Sequence, residues 1–373
     1  MKTLKYPSGL LASGAGIWLL MFPAQAAIPL TNLGSLGGDY SSALAINDHG
    51  EIVGFSRAAD GTLHAFLYQN GLMSKVDAHP GDQNIAAAIN DAGRIVGNRL
   101  NNAVTNEFGV SYQNQAVLFY RGSLITLEPG TNNSGASGIN NRGQIVGGYT
   151  TPGGASHAFL YQKGLTTDLG TLGGDISGAA GINRRGEIVG SSYITPGSLA
   201  YHPFLYRHGL MQDLGTLGGS YGGANAINDL GEIVGFSSTV SNLEIHPFLY
   251  RHGHMQDLGT LGGTQIFHGE YSIDDVASDI NNWGQVVGQA STINLDSHAF
   301  IYCTGKMTDL NDLVTLTTTN GPAGFLSLGT ANGINDWGQI VGAGSYWDGT
   351  QVVVRAFLMQ VRPEYRPGQP DEF

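Results

Sequence analysis

Short apolar stretches alternate with polar, glycine-containing stretches along most of the chain, and this alternation repeats. In one copy the apolar stretches are Ala224–Asn228, Glu232–Ser237, His246–Tyr250 and His254–Leu258, each the length of one short β-strand. The turn Asn228-Asp229-Leu230-Gly231 joins the first two, with Asn at its start and Gly where positive φ is favoured. The pattern predicts four short antiparallel strands in each repeat.

The turn between the first two strands is the clearest marker of the repeat, because its pattern I-N-x-x-G-x-I/V-V-G occurs seven times. Successive copies begin 43 to 54 residues apart, a spacing typical of propeller blades. We therefore predict an all-β fold, a seven-bladed β-propeller of four-stranded antiparallel blades. The copies are Ile46–Gly54, Ile89–Gly97, Ile139–Gly147, Ile182–Gly190, Ile227–Gly235, Ile280–Gly288 and Ile334–Gly342.

The two ends of the repeat array complement each other. The last repeat stops at Arg355–Tyr365 without a fourth strand, whereas Ile28–Gly38 near the N-terminus matches the fourth-strand segment Asp168–Gly174. We expect the N-terminal strand to complete the last blade and leave no open ring. Small residues precede every I-N pair, as the crowded axis of a propeller requires. A β-helix is the alternative, although its repeats are usually shorter and it does not explain the complementary ends.

A second recurring string, His-Ala-Phe followed by an aliphatic residue and Tyr, accompanies the D-L-G-T-L-G-G and I-N-x-x-G-x-I-V-G strings. This combination resembles the HAF family of bacterial extracellular repeats, over a region from about Leu33 to Met359. The resemblance implies secretion and a repeat-built β fold, and it implies no general biochemical activity. The string stands at His64–Tyr68, His157–Tyr161 and His298–Tyr302, and it is altered at Gln115–Tyr120 and Arg355–Met359. These departures weaken a chemical role for the histidine.

Composition supports the repeat fold and narrows the choice of partners. The chain has 57 glycines and only 12% charged residues, as expected where many tight turns join short buried strands. Its formal net charge is −12, and lysine and arginine form no cluster. We therefore expect no nucleic-acid partner. The overall charge favours neutral or cationic partners.

The N-terminus has the three parts of a secretory signal. Lys2 and Lys5 precede the apolar stretch Leu10–Phe22, and Ala24-Gln25-Ala26 gives the small-x-small cleavage pattern. We predict a signal peptide over residues 1–26 with cleavage after Ala26, a propeller over residues 27–360 and a tail over residues 361–373. The protein is expected to be secreted or periplasmic, with no transmembrane segment in the mature chain. An uncleaved anchor is the alternative, but the apolar stretch is short for one.

Three features that could carry chemistry are better explained by structure. Cys303, the only cysteine, ends a strand-like run and is expected to be a packed thiol. Gly218–Gly222 formally matches the G-x-S-x-G nucleophile elbow, but no helix is expected after it. Asp39 and Asp175 follow L-G-G in two repeats only, too few oxygens for calcium. We predict no catalytic residue, no metal site and no cofactor.

Five histidines occupy one position of the repeat. Residues so placed lie in five different blades and cannot converge on one metal ion. We expect each imidazole to be structural and to hydrogen-bond a neighbouring turn, with the Asp of the I-N-D turn as the candidate acceptor. The five are His64, His157, His202, His246 and His298.

Loop lengths vary on one predicted face of the propeller. The I-N-x-x-G turn is constant, whereas the strand two–three and strand four–one connections, which emerge on the other face, differ between repeats. We call that face the variable face. It carries aromatic and acidic residues, a combination that suits sugar rings. The alternative is that surface loops simply tolerate insertions. The candidate ligand-binding residues are Phe108, Tyr112, His268, Glu270, Tyr271, Asp274, Asp275, Tyr346, Trp347 and Asp348.

Three functional hypotheses follow, because fold alone does not fix function. The first is a secreted, monomeric, non-catalytic protein that binds a glycan or a cell-surface protein through the variable face. The second is a polysaccharide hydrolase or lyase with Glu270, Asp274 or Asp275 as acid and base, which requires a carboxylate pair across a pocket. The third is a self-associating envelope or matrix protein, which predicts a mass that rises with concentration.

Overall fold

The computed structural model describes residues 27–76, 83–106, 109–127, 133–240, 244–264 and 275–361, apart from the side chains of residues 101–113. Within these ranges the regular elements are β-strands and one short 3-10 helix, Leu310–Leu313. No helix in the described ranges is long and apolar enough to cross a membrane. The fold class is all-β, as the sequence predicted.

The strands form four-stranded antiparallel units, one for each copy of the I-N-x-x-G turn. We number the units in chain order. The strand β1 (Leu30–Asn32) comes before unit one, which contains β2 (Gly37–Ile46), β3 (Ile52–Ala58), β4 (Leu63–Gln69) and β5 (Leu72–Lys75). Unit two contains β6 (Gln83–Ile89), β7 (Ile95–Asn106), β8 (Gly109–Tyr120) and β9 (Ser123–Thr126). Unit three contains β10 (Ser134–Ile139), β11 (Ile145–Thr150), β12 (Ser156–Gln162) and β13 (Leu165–Asp168).

The later units follow the same order. Unit four contains β14 (Ser177–Ile182), β15 (Ile188–Tyr193), β16 (Tyr201–Arg207) and β17 (Leu210–Asp213). Unit five contains β18 (Gly218–Ile227), β19 (Ile233–Thr239), β20 (Ile245–Arg251) and β21 (His254–Asp257). Unit six contains β22 (Val276–Ile280), β23 (Val286–Ser291), β24 (Ser297–Cys303) and β25 (Lys306–Asp309). Unit seven contributes β26 (Gly324–Ile334), β27 (Gln339–Trp347) and β28 (Val352–Gln360).

The units are arranged as the blades of a β-propeller. In each unit the strands pair antiparallel in chain order, so the first strand lies at one edge and the fourth at the other. The first strand of each unit contacts the first strand of the next, and β26 of unit seven contacts β2 of unit one. The first strands therefore lie together, and their small residues permit that close approach.

The strand β1 pairs with unit seven. It runs antiparallel to β28, with Leu30 opposite Met359 and Asn32 opposite Phe357. In unit three the fourth strand has the same register, since Asp168 stands opposite Phe159. Thus β1 occupies the fourth-strand position that unit seven does not supply itself, and the strand pairing expected from the sequence is present.

The I-V-G and His-Ala-Phe strings are two halves of one packing contact. In unit one Gly54 stands opposite Phe66 in the strand register, and the Phe66 side chain is fully buried. A Cβ at Gly54 would overlap the carbonyl oxygen of Ser42 and lie 3.0 Å from the Phe66 ring. Only glycine lets the ring and the first strand approach so closely. The equivalent phenylalanines are also fully buried: Phe159, Phe204, Phe248, Phe300 and Phe357.

The L-G-G string fixes the connection between units. Gly37 has a φ of 107°, which favours glycine, and a Cβ at Gly38 would lie 2.7 Å from the carbonyl oxygens of Arg57 and Ala58. The strand four–one connection therefore packs against the end of the second strand. In unit one this places the strand four–one connection on the same face as the strand two–three turn, as predicted. Gly218–Gly222 lies inside β18 with no helix after it, so this segment is not a nucleophile elbow.

Candidate functional site

The asparagine of each I-N turn organises its own hairpin. In unit four the Asn183 Oδ1 accepts hydrogen bonds from the backbone N–H groups of Arg185 and Glu187, each at 3.0 Å. Its Nδ2 donates to Glu187 Oε2 at 2.6 Å. The side chain is only 3% exposed. One buried amide therefore satisfies three polar groups of the turn, which explains why no other residue type occurs at this position in the seven copies.

The same asparagines also join the units. Each Nδ2 donates to the carbonyl oxygen of the asparagine in the next unit, and the last bond returns from unit seven to unit one. We call these seven residues the asparagine ring. Sequence reasoning assigned them to the turn alone, although their identity in all seven copies signalled a shared constraint. The ring comprises Asn47, Asn90, Asn140, Asn183, Asn228, Asn281 and Asn335.

A polar cavity of about 190 Å³ lies beside the asparagine ring. Its rim consists of the residues that follow each asparagine, and most of these side chains accept a backbone N–H from the preceding unit, as Asp91 does from Asp48 at 3.1 Å. Burial, together with the nearby carboxylates of Asp336 and Asp91, raises the pKa of Asp48. No group of three or more His, Cys, Asp and Glu side chains in the described ranges could hold a metal ion.

Two tryptophans stand beside this cavity, on the face opposite the variable face. Trp283 and Trp337 are 46% and 59% exposed. The Nε1 of Trp283 donates to the carbonyl oxygen of Asp336 and that of Trp337 to Asp48, each at 2.9 Å. The bonds fix both rings against the next unit. Sequence reasoning treated this face as uniform because its turn length is constant, and it overlooked the residue types in the turn.

The repeat histidines bind a different aspartate from the one predicted. In unit three His157 Nδ1 lies 2.8 Å from Asp168 Oδ2. The aspartate of D-L-G on the fourth strand is therefore the partner, and the predicted Asp of the I-N-D turn was wrong. The antiparallel register explains the difference, because it places this aspartate beside the histidine on the same sheet. The other pairs are His202–Asp213, His246–Asp257 and His298–Asp309.

His64 is the exception among the five. Lys75 takes the place of the aspartate in unit one, where it stands opposite Phe66. The Nε2 of His64 lies 2.7 Å from Thr62 Oγ1 and 2.9 Å from Lys75 Nζ. This imidazole therefore has a hydroxyl and an ammonium group as neighbours where the other four have a carboxylate.

The histidine–aspartate pairs predict a pH-dependent stability. The hydrogen bond to Asp257 raises the pKa of half-buried His246 above its ordinary 6.5. Burial of Asp257 acts to raise its pKa, but the hydrogen bonds from His246 and Gly259 outweigh that effect and lower the pKa below its ordinary 3.8. The pair therefore makes its full contribution to folding stability between pH 3.8 and pH 6.5, the ordinary pKa values of its two groups. This contribution declines as pH rises through the folded pKa of His246. It is less than about 1 kcal/mol, because the pair is partly exposed.

The measurement is thermal unfolding of wild type and Asp257→Asn at about pH 5.5 and about pH 8.5. Asparagine keeps the acceptor for Gly259 but removes the charge. We expect the variant to be less stable than wild type by a larger margin at the lower pH. His254→Gln, a change at an exposed histidine of the same unit, serves as the control. Equal losses at both pH values would contradict a charged pair.

Six of the ten predicted variable-face residues lie where the structure gives no side-chain description. Tyr112 belongs to β8, but its side chain is outside the described part. The remaining predicted residues of this group lie outside the described residues altogether: Phe108, His268, Glu270, Tyr271 and Asp274.

The unit-seven candidates lie together. Tyr346 and Trp347 end β27 and are partly exposed. Asp348 follows them, and its Oδ1 accepts the N–H groups of Thr350 and Gln351 at 2.7 and 2.9 Å. Hydrogen bonds from the Thr350 hydroxyl and these N–H groups lower the pKa of Asp348. Asp348 is therefore an ionised turn residue at the edge of the variable face.

Asp275 is not available to a ligand. It is only 2% exposed, and its carboxylate accepts hydrogen bonds from the backbone N–H of Ser291 and, at 3.0 Å, from the Ser291 hydroxyl. The prediction that Asp275 belongs to an exposed binding site was wrong. The carboxylate replaces backbone pairing where the chain enters unit six, a role that the sequence pattern did not distinguish from a loop carboxylate.

The other single residues have structural surroundings. Asp39 Oδ1 lies 3.5 Å from Arg57 Nη1, and Asp175 accepts the N–H of Gly197 at 3.2 Å. Cys303 is buried, and this burial raises the pKa of its thiol.

Asp279 is a buried acid that sequence reasoning missed. It stands in β22 where the other six units have alanine or glycine. Its carboxylate accepts the N–H groups of Ile280 and Ile334, each at 2.9 Å. Burial raises its pKa to about 7. The side chain thus joins the first strands of units six and seven, and the signal was the single charged residue in an otherwise small-residue strand.

A larger cavity, of about 560 Å³, lies on the variable face between units one and seven. We call it the junction cavity. The L-G-G connection and the strand two–three turn of unit one form one side, and the turn after β27 with β28 forms the other. Two arginines line it, Arg57 from unit one and Arg355 from unit seven. The other lining residues include Gly37, Gly38, Asp39, Asp348 and Gln351.

The fold and these sites define a repeat-built β-propeller with cavities on both faces. A family model described as a protein of unknown function (DUF3466) matches residues 212–356, less than half of the chain. No curated protein matches the chain.

Solved structures with propeller domains resemble the chain at low identity. The acylaminoacyl peptidase of Pyrococcus horikoshii aligns at 11% identity and a TM-score of 0.49, over 74% of this chain and 45% of the peptidase. The chain thus spans less than half of that enzyme's length. The propeller domain of the trilobed protease from Pyrococcus furiosus aligns at 10% identity and a TM-score of 0.47, over 92% of this chain and 100% of that domain. TolB of Acinetobacter baumannii aligns at 12% identity and a TM-score of 0.42, over 83% of this chain and 79% of TolB. Their activities are properties of those proteins and carry no implication for this chain.

Proposed function

We propose that the chain is an exported, seven-bladed propeller, closed by β1, that binds a glycan or a cell-surface protein without turning it over. Two observations support closure: the asparagine ring returns from Asn335 to Asn47 at 3.0 Å, and β1 pairs with β28. Export and membership of the HAF repeat family are part of the proposal. Both are supported by the sequence alone. The predicted signal peptide over residues 1–26 lies outside the described residues, and the HAF resemblance is a resemblance of sequence strings.

The junction cavity is the observation that carries the binding function. Its volume of about 560 Å³ falls within the range of small-molecule and sugar sites. Positively and negatively charged groups line it, together with the amide of Gln351. Such groups suit a hydroxylated ligand, and partly exposed Trp347, which precedes the lining residue Asp348 in the chain, offers an aromatic ring nearby.

The described carboxylates of the junction cavity favour binding over hydrolysis. Asp39 lies 3.5 Å from Arg57, and Asp348 accepts the N–H groups of its own turn. A general acid needs a raised pKa, but the pKa of Asp348 is lowered. The hydrolase or lyase alternative therefore depends on Glu270 and Asp274, and the matrix alternative on a concentration-dependent mass in light scattering.

Affinity electrophoresis of the mature protein on neutral and acidic polysaccharides tests the proposal. We expect at least one polymer to retard wild type and to retard Trp347→Ala less, because the indole offers a stacking surface worth about 1 kcal/mol. Trp283→Ala removes a tryptophan from the opposite face and should bind as wild type. No retardation on any polymer would contradict the glycan form of the proposal, and shortened polymer would favour the enzyme alternative. Loss of retardation in Trp283→Ala but not in Trp347→Ala would place the binding site on the opposite face.

A further inference from the structure

We propose that the junction cavity recognises the carboxylate of an acidic sugar, a uronic acid residue of a polysaccharide, through Arg355 and Arg57. The inference rests on the proposed function and gives it a ligand class. It starts from a departure of unit seven from its own repeat: Arg355 stands at the position of the paired histidines.

Arg355 has no acidic partner on its own sheet among the described residues. In four units the histidine at this position binds the aspartate of the fourth strand, as His157 binds Asp168. In unit seven the fourth strand is β1, and Asn32 occupies that place, opposite Phe357. Asn32 Oδ1 accepts the N–H of Gly34 at 2.8 Å, just as Asp168 accepts that of Gly170. Asn32 therefore preserves the hydrogen bond of this turn but does not supply the negative charge that Asp168 has.

The guanidinium of Arg355 is therefore free to bind an external anion. Within the described part of the chain no carboxylate lies within ion-pair distance of it, and its one hydrogen bond runs from Nη1 to the carbonyl oxygen of Val354, at 3.0 Å. Asp348 and Asp39 line the same cavity at longer range. A partly buried guanidinium without a direct counter-ion favours a carboxylate, which it can bind with two parallel hydrogen bonds.

Arg57 brings a second positive charge to the cavity. Its guanidinium lies 5.8 Å from the centre of the Tyr40 ring, and that ring stacks on Phe55 with centroids 5.6 Å apart. The contact with Asp39 is long, at 3.5 Å, and exposed. The aromatic pair thus supports Arg57 at the cavity edge, where it can share a ligand carboxylate with Arg355.

The two aspartates narrow the ligand class further. A simple anion would meet Asp39 and Asp348 as well as the arginines. A uronic acid residue carries hydroxyl donors next to its carboxylate, so its hydroxyls can bond the aspartates and Gln351 while the arginines bind the acid. An acidic peptide segment lacks those neighbouring hydroxyls.

The net charge of the chain does not decide this contact. The formal charge of −12 repels a polyanion at long range, but salt screens such fields beyond about 8 Å at physiological ionic strength. Groups in contact within the cavity determine binding. Short oligomers are the appropriate probes, because long polyanions are repelled more.

The test is calorimetric titration of the full mature chain with tetramers of galacturonic and of glucuronic acid, and with the same tetramers methyl-esterified. We expect binding of at least one acid and not of its neutral ester. Arg355→Gln and Arg355→His, the latter restoring the residue of the other units, should weaken binding about 10- to 100-fold, the range for a hydrogen bond to a charged group.

Asn32→Asp is the sharper variant, because it keeps Arg355 and adds a carboxylate beside it. Asn32→Asp should weaken binding as much as the Arg355 variants do. Two controls should bind as wild type: Asn32→Ser, and Arg251→Gln at an exposed arginine of unit five. Unchanged melting curves confirm that the variants fold.

Three results would overturn the inference: equal binding of acid and ester, unchanged binding in Asn32→Asp and both Arg355 variants, or no binding of either acid. Equal binding of the ester, or retardation by neutral polysaccharides alone, would still leave the proposed glycan-binding function standing.

Discussion

Removal of residues 27–33 from a protein of residues 27–373 is expected to lower its melting temperature by more than the loss of any one buried side chain would. Ile28 and Leu33 are each 4% exposed. Leu33 packs with Ile52 of unit one and Val341 of unit seven, so it joins the first and last units. Two buried aliphatic side chains contribute about 3–6 kcal/mol, a large part of the roughly 5–15 kcal/mol that stabilises a typical domain.

The lost strand also leaves β28 with an unpaired edge. Deletion should therefore promote association as well as unfolding. Thermal unfolding of wild type and the deletion variant measures the first effect, and light scattering measures the second. A synthetic peptide of residues 27–34 should restore the melting temperature in trans, and a scrambled peptide should not. An unchanged melting curve in the deletion variant would refute closure by β1.

The sequence was sufficient to predict the β-strands and their turns. The I-V-G glycine and the His-Ala-Phe ring form one packing contact. The glycine recurs in all seven units and the phenylalanine in six, so the repetition of both strings indicated a shared structural role. The strand β1 could be predicted because Ile28–Gly38 repeats a fourth-strand sequence seen elsewhere in the chain. Internal repetition thus provided several examples of each local structure.

Contacts between units were harder to predict. The asparagine ring needs the carbonyl oxygen of one turn to meet the amide of the next, a distance that one repeat does not encode. The same limit explains the wrong acceptor for the histidines, since the choice between two aspartates depends on strand register. It also explains Asp275, whose burial follows from the entry of the chain into unit six.

The junction cavity shows where departures from the repeat were informative. In the sequence Arg355 is only a weakened histidine motif, and Asn32 only part of a matching strand. In unit seven Asn32 stands at the fourth-strand position that would otherwise supply an aspartate. Arg355 therefore keeps its positive charge without a paired aspartate, in a cavity that Arg57 also lines. A residue-by-residue comparison of the seventh unit with the others would have found both changes, but not that Arg355 lines one cavity with Arg57.

Asn183→Asp is expected to be far more destabilising than Asn140→Asp at neutral pH, although both change the same position of the asparagine ring. Each variant loses the amide donor to the next unit. The difference lies in the neighbour four residues later. Asn140 Nδ2 donates to Gln144 Oε1 at 2.8 Å, whereas Asn183 Nδ2 donates to Glu187 Oε2 at 2.6 Å. Gln144 can rotate its amide and donate to a new carboxylate, but Glu187 cannot.

In Asn183→Asp two carboxylates would therefore face each other in a largely buried site. Arg185 Nη2, 2.7 Å from Glu187 Oε2, offsets part of their repulsion, and the remainder raises the pKa of the pair. We expect an additional cost of about 2–4 kcal/mol relative to Asn140→Asp at pH 7. The raised pKa of the pair means that this difference shrinks as the pH falls and the shared proton binds. Urea unfolding of both variants at about pH 7 and about pH 5 measures it.

Glu187→Gln in the Asn183→Asp background supplies the missing donor and should recover most of the difference, in a double-mutant cycle. Equal losses for the two aspartate variants at neutral pH would mean that the amide-to-carboxylate bond of unit four contributes little. The bond to the next unit, which both variants lose, would then be the main contribution of the asparagine ring, and stability would depend on contacts between units more than on the turn within each one.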